Sequence, residues 1–255
     1  MKVAVCSAQS YDRQFLLAAN RDIGHELVFF DSHLCEETRQ MVMGFPAVCV
    51  FVNDTLNATV LETLAAQGTR LIALRCAGFN NVDIQAASSL GLRVVRVPAY
   101  SPHSVAEHTV VLILALNRHL HQAYNRVRNG NFALQGLLGF ELRGKTVGII
   151  GTGRIGSAVA RILHGFGCRL IAHDPQQSPE YISLGVKYVP LKQLYAESDI
   201  VTLHCPLNPQ TYHLIDATAI ARMKRGVMLI NTSRGAVIDT PAVTDTRVGV
   251  FGLLQ

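Results

Sequence analysis

The first hundred positions alternate short, β-branched apolar runs with stretches of helical period. Residues 2–6, 26–30, 47–52, 71–74 and 94–97 read as strands, and 12–20 and 59–67 between them read as helices. This alternation predicts a parallel sheet covered on both faces. Val97-Pro98-Ala99-Tyr100-Ser101-Pro102 breaks the rhythm and predicts a hinge. Ser104 and Glu107 then have the spacing of a capping box ahead of a long apolar helix reaching to about Val127. That helix is apolar on more than one face, so it must be buried against something, a second subunit being one candidate. Past Gly144 the alternation resumes, with strands at 146–151, 169–174, 187–189, 199–204, 226–232 and 248–253. The fold class is therefore α/β, with two doubly wound parallel-sheet domains: 1–99, and 100–255 with the 104–127 helix included.

The chain has 255 residues, 49% hydrophobic and 16% charged, enough for one large or two modest globular domains with real cores. Its formal charge is +5. Basic residues gather only at Arg118, His119, His121, Arg126 and Arg128, with neither a basic run nor interleaved aromatics. A solvated face is expected there, not a nucleic-acid surface. None of the six cysteines forms a Cys-x-x-Cys pair, and several lie inside apolar runs. They read as buried reduced thiols, which with an N-terminus that opens on a strand predicts a cytoplasmic protein. No apolar segment is long enough for a bilayer, and no His or carboxylate cluster has metal-ligand spacing.

The most specific chemistry lies at 147–156. An apolar run enters Gly151-Thr152-Gly153-Arg154-Ile155-Gly156, and a helical segment follows. Gly151 permits a tight strand-to-helix turn, Gly153 lets backbone approach a pyrophosphate, and Gly156 lets helix and strand pack closely. Asp174 ends the next strand, where it can accept both ribose hydroxyls and repel a 2′-phosphate, favouring NAD over NADP. A plain glycine-rich turn is the bland alternative for the triplet alone.

Other candidates stand where strands end. Arg234 follows an apolar strand in Asn231-Thr232-Ser233-Arg234-Gly235; it can clamp a carboxylate, or simply pair with a nearby acid. Ala77 and Gly78, after the strand 71–74, offer small residues for a backbone carboxylate nest or for an ordinary turn. His204, at a strand end, is expected beside the cofactor. His108 is expected to hydrogen-bond Glu107. Neither is favoured as a proton donor.

These motifs resemble the D-isomer-specific 2-hydroxyacid dehydrogenase family, and within it the fermentative D-lactate dehydrogenases. The resemblance rests on Arg75-Cys76-Ala77-Gly78-Phe79-Asn80-Asn81-Val82-Asp83, Val97-Pro98-Ala99-Tyr100, Val105-Ala106-Glu107-His108, the glycine triplet, His204-Cys205-Pro206-Leu207 and Asn231-Thr232-Ser233-Arg234-Gly235. It runs from residue 1 to about 243. It implies a flavodoxin-like substrate domain, a Rossmann NAD-binding domain and a site in the cleft between them. It gives Arg234 the substrate carboxylate and the polarised ketone, Ala77 and Gly78 the backbone nest, and Tyr100 the pocket wall. Gly151, Gly153, Arg154, Ile155 and Gly156 would hold the pyrophosphate and Asp174 the ribose. His204, Cys205, Pro206 and Thr232 would line the cofactor site. The reaction implied is reversible hydride transfer between NADH and pyruvate, giving D-lactate. The partners implied are a small 2-keto or 2-hydroxy acid and a second copy, as homodimer or homotetramer, with no nucleic acid and no membrane.

The family carries an orienting glutamate and an acid/base histidine later in its pattern, and neither has a counterpart before Gln255. On the 255 residues alone, the second domain is expected to be incomplete at its C-terminus. Such a chain is expected to bind NAD better than it turns over, because a positioned acid/base group is worth roughly 10²–10⁴ in rate. A second reading follows: an NAD-binding or dimerising module without turnover.

Overall fold

The computed structural model describes residues 1–244 and 250–253, the last four by their backbone. The chain divides into two compact units, Met1–Tyr100 and Ser101–Gln255.

The first unit runs β1 (Lys2–Val5), α1 (Ser10–Ala19), β2 (Glu26–Phe29), β3 (Ala47–Val50), α2 (Ala58–Ala66), β4 (Leu71–Leu74), α3 (Ile84–Ser89) and β5 (Arg93–Arg96). Its five strands lie in the order β2-β1-β3-β4-β5, all parallel. Strand β3 is buried throughout, as a central strand covered on both faces must be. On one face Val48, Val50, Leu61, Leu64 and Ile72 form the larger core; Val3, Val5 and Cys49 form a smaller one on the other. Helices α2 and α3 start on side-chain caps: Asn57 accepts from Val60 N and Asp83 from Ala86 N.

The second unit opens with α4 (Pro102–Asn117) and α5 (Leu120–Arg128). Two expectations are corrected here. The cap of α4 is Ser101, whose hydroxyl accepts from Ser104 N, with Pro102 in the first turn. Ser104 is thus inside the helix and Glu107 caps nothing, because proline's fixed φ sets the cap three residues earlier. The predicted helix to Val127 is also two helices, broken where His119 adopts a left-handed φ of 48°. The buried face of α4, including Ala106, Val110 and Ile113, joins the same core as Val159 and Leu163 of α6 (Arg154–Gly165), so this unit itself supplies the expected cover.

The remaining elements are β6 (Thr146–Ile150), β7 (Arg169–His173), α7 (Pro179–Ser183), β8 (Lys187–Tyr188), α8 (Leu191–Glu197), β9 (Ile200–Leu203), α9 (Ala217–Ala221), β10 (Met228–Asn231), α10 (Thr240–Thr244) and β11 (Val250–Leu253). Val248 and Gly249, the start of the last predicted strand, lie outside the described residues. The sheet order is β11-β10-β9-β6-β7-β8, with every pairing parallel. The order reverses at β6, whose C-terminal end therefore opens a crevice between the turns that follow β6 and β9. Among the described residues, no helix is long and apolar enough to cross a membrane. None of the six cysteines, all among the described residues, is in a disulfide; five are buried and Cys35 is half-buried.

Candidate functional site

Strand β6 delivers the glycine triplet to that switch point. Gly151 has φ +95°, and a Cβ there would stand 2.6 Å from Cys205 N and from the His204 carbonyl carbon. A Cβ on Gly156 would meet Gly151 O at 2.2 Å. These two glycines are required by the fold itself, for left-handed backbone and for close helix–strand approach.

Gly153 differs. It caps α6 with no side-chain cap, and a Cβ there would meet nothing within 4 Å. Arg154 and Ile155 open the helix, with Arg154 exposed. The first-turn N–H groups of a 12-residue helix therefore face open space with the positive end of its dipole. That is room and charge suited to a pyrophosphate.

Asp174, just past β7, is fastened to this turn. Its Oδ2 accepts from Thr152 N at 2.6 Å and its Oδ1 from Gln176 N at 2.8 Å. A carboxylate oxygen has further acceptor capacity after one such bond, so the pair can still receive two ribose hydroxyls.

The turn after β9 lies beside it. His204 is held between two threonines: Nε2 lies 2.9 Å from Thr202 Oγ1, and Nδ1 lies 3.4 Å from Thr232 Oγ1. Thr232 Oγ1 is 3.0 Å from Thr109 Oγ1, whose hydroxyl donates to Val105 O. Because Thr109 spends its proton on that carbonyl, Thr232 donates to Thr109. His204 Nδ1–H then donates to Thr232, leaving Nε2 to accept from Thr202. Burial pushes the His204 pKa down to about 3, so the ring is neutral. Burial pushes the Cys205 thiol up to about 11. Pro206 is exposed. This run of hydroxyls was not foreseen, since it joins α4 to two strand ends across 123 residues of sequence.

At the end of β10, buried Asn231 builds the turn that presents Arg234. Its Nδ2 donates to Arg234 O at 2.9 Å and its Oδ1 accepts from Ser233 N and Oγ at 2.9 and 2.7 Å. Among the described residues, the half-buried Arg234 guanidinium donates only to Ser233 O, at 3.1 Å. Among the described residues it has no acidic partner. The bland alternative for this arginine, an ion pair, is thus not formed among them. His108 likewise makes no hydrogen bond to Glu107 among the described residues, contrary to expectation; Glu107 points to solvent.

In the first unit, the turn after β4 carries Ala77, Gly78 and Phe79. Their N–H groups find no acceptor among the described residues. Successive free amides of this kind make an anion nest. Phe79 and Tyr100 are both exposed on this unit.

The sequence profile described as "D-isomer specific 2-hydroxyacid dehydrogenase, NAD binding domain" matches residues 110–247. The D-lactate dehydrogenase of Escherichia coli (strain K12) is 52% identical over 257 residues, covering 99% of this chain and 78% of that protein. Its apo structure matches with a TM-score of 0.90, over 99% of this chain and 81% of that one. The Aquifex aeolicus D-lactate dehydrogenase, solved with NAD and lactic acid, is 34% identical and matches with a TM-score of 0.86, over 98% of this chain and 76% of that one.

Proposed function

This chain belongs to the D-isomer-specific 2-hydroxyacid dehydrogenase family and is an NAD-dependent oxidoreductase; from that premise we propose that it interconverts pyruvate and D-lactate. The observation that carries this reading is the Arg234 guanidinium, held by Asn231 on the strand-end edge that also bears the glycine turn, with no acid among the described residues to occupy it.

NADH, when bound, supplies the hydride that reduces the ketone carbon. The chain's own groups hold and orient the reactants. The N-terminus of α6, at Gly153, Arg154 and Ile155, takes the pyrophosphate charge. Gly151 and Gly156 shape that turn. Asp174 takes the ribose hydroxyls, with Thr152 fixing its direction. Cys205 and Pro206 wall the adenosine side, and neutral His204 with Thr232 gives the cofactor site an uncharged, hydrogen-bonded floor. In the first unit Ala77 and Gly78 offer amides suited to a carboxylate; in the second, Arg234 offers a guanidinium suited to a carboxylate and to drawing charge onto a ketone oxygen. A ring that protonates only near pH 3 is a poor acid at neutral pH, so His204 is not the proton donor. Phe79 and Tyr100 favour a short substrate side chain. The reading of a binding module without turnover gains no support from these likenesses.

We assign the first unit to the substrate and the second to the cofactor. A second copy of the chain covers the exposed apolar residues of 120–138, where Phe132, Leu134 and Leu138 are 75%, 81% and 91% exposed. The resulting homodimer, alone or within a homotetramer, resides in the cytoplasm, where six unbridged cysteines are at home.

The test is a fluorescence titration of well-folded protein with NADH, followed by pyruvate-dependent NADH oxidation and stereochemical assay of the lactate formed. Binding, oxidation and the D product are expected, with kcat/KM higher for pyruvate than for phenylpyruvate. Absence of any nucleotide signal, or an L product, would overturn the proposal.

A further inference from the structure

Arg96 ends β5 and stands level with Leu74, the last residue of β4. Its side chain reaches the turn that follows β4. There Nη1 donates to Ala77 O at 2.7 Å, and the guanidinium lies 5.4 Å from the centroid of the Phe79 ring. Every peptide here is trans, so the carbonyl of one residue and the N–H of the next point in opposite directions. A hydrogen bond that fixes the Ala77 carbonyl therefore fixes the Gly78 N–H, and aims it away from Arg96.

The next peptide is fixed in the same manner. The buried Cys76 thiol donates to Gly78 O at 3.2 Å, which sets the direction of the Phe79 N–H. The base of the turn is anchored separately. Arg75 donates to Cys6 O at 3.1 Å and Ser7 O at 3.2 Å, and its Nε lies 3.3 Å from Asp12 Oδ1. Two consecutive carbonyls are thus held by side chains, while the amides on their far sides have no acceptor among the described residues.

We propose that Arg96 is a positioning residue for the substrate carboxylate, orienting the Gly78 amide by holding the carbonyl of the same peptide. The proposal rests on the reading of Ala77 and Gly78 as the carboxylate nest. Preorganised amides bind an anion without first losing conformational freedom. A cation on the carbonyl also polarises the peptide and makes its N–H a stronger donor. Arginine suits the position because its planar fork can bond the carbonyl while lying over a ring, which a lysine ammonium does less well.

Oxamate, a non-reducible isostere of pyruvate, serves as the probe. Its affinity for the NADH-loaded protein is measured alongside KM and kcat for pyruvate. In Arg96→Met, oxamate Kd and pyruvate KM should both rise, roughly tenfold. NADH affinity and kcat at saturating pyruvate should stay unchanged. Arg96→Lys should recover only part of the loss. Phe79→Leu, which removes the ring and leaves the hydrogen bond, should give a smaller rise than Arg96→Met. Unchanged oxamate affinity in Arg96→Met would overturn the proposal. Full recovery in Arg96→Lys would also overturn it, by reducing the role to net charge. Should Arg96→Met not fold, partial loss in Arg96→Lys with normal NADH affinity supports the proposal and wild-type affinity overturns it. If the wild-type protein binds NADH but neither oxamate nor pyruvate, the proposed function itself fails, and this inference with it.

Discussion

Asp174 Oδ2 accepts a 2.6 Å hydrogen bond from Thr152 N, joining the end of β7 to the middle of the glycine turn after β6. One carboxylate thus shapes the turn that we propose takes the pyrophosphate, and on the same proposal it binds the ribose. Asp174→Ala should remove both effects. NADH affinity should fall by roughly 10- to 100-fold, as for loss of one charge-assisted hydrogen bond of about 1.5–3 kcal/mol. NADPH affinity should fall less, because the charge that repels a 2′-phosphate is gone. Parallel titrations with the two nucleotides check this; an unmoved ratio would remove Asp174 from the ribose site.

The three glycines of the turn should separate binding from stability. Gly153→Ala adds a methyl group to open space at an ordinary φ of −68°, so thermal stability should barely change while NADH affinity drops. Gly156→Ala drives a Cβ to 2.2 Å from a backbone oxygen and should lower Tm sharply. Overpacking of this kind costs roughly 1–3 kcal/mol or more. Melting curves with and without NADH distinguish the two. Equal loss of Tm in both variants would contradict the account of Gly153.

Arg234→Gln should lower kcat/KM for pyruvate by roughly 10²–10³, since charge-assisted hydrogen bonds to carboxylate and ketone oxygen are worth about 1.5–3 kcal/mol each. NADH affinity should be retained. Steady-state kinetics with a separate nucleotide titration provide the measurement. Unchanged kinetics would leave the arginine a structural role only.

His204 makes stability depend on pH. Its folded pKa, about 3, lies below the usual value of 6.5, because burial disfavours the imidazolium. The stabilisation is therefore complete above pH 6.5 and is lost as pH falls from there towards 3. The loss reaches at most about 1.4 kcal/mol per pH unit. His204→Gln retains hydrogen-bonding capacity without the titration. Its urea midpoint should vary less than wild type between pH 7 and 5. Identical pH profiles for the two proteins would exclude His204 as the source.

Charging the exposed apolar stretch tests self-association. Tyr124→Glu with Leu134→Glu places two carboxylates among residues left uncovered in the single chain. Light scattering should show a shift towards monomer with NADH affinity intact. An unchanged mass would place the subunit interface elsewhere.

What the sequence determined by itself was everything carried by local periodicity and local backbone requirement. Strands of two to five residues and their intervening helices follow from apolar pattern. Gly151 follows from a turn only glycine can make, and Gly156 from the close approach of helix to strand. Asp174 is legible because a strand end fixes its edge. Boundaries went astray where local rules competed: Pro102 overrode the Ser104–Glu107 spacing, and His119 broke a helix that periodicity alone would continue. Tertiary structure alone decided the rest. Arg234 and Arg96 give the same signal in the sequence, an arginine at or just past the end of an apolar strand. One turns out to lack an acidic partner among the described residues, while the other holds a carbonyl 19 residues away. The neutral state of His204 follows from its burial, and its ring is held by hydroxyls from β9, from the turn after β10 and, through Thr232, from α4. Partner choice, burial and protonation are properties of groups distant in sequence that meet only when the sheet is assembled, so no local pattern encodes them.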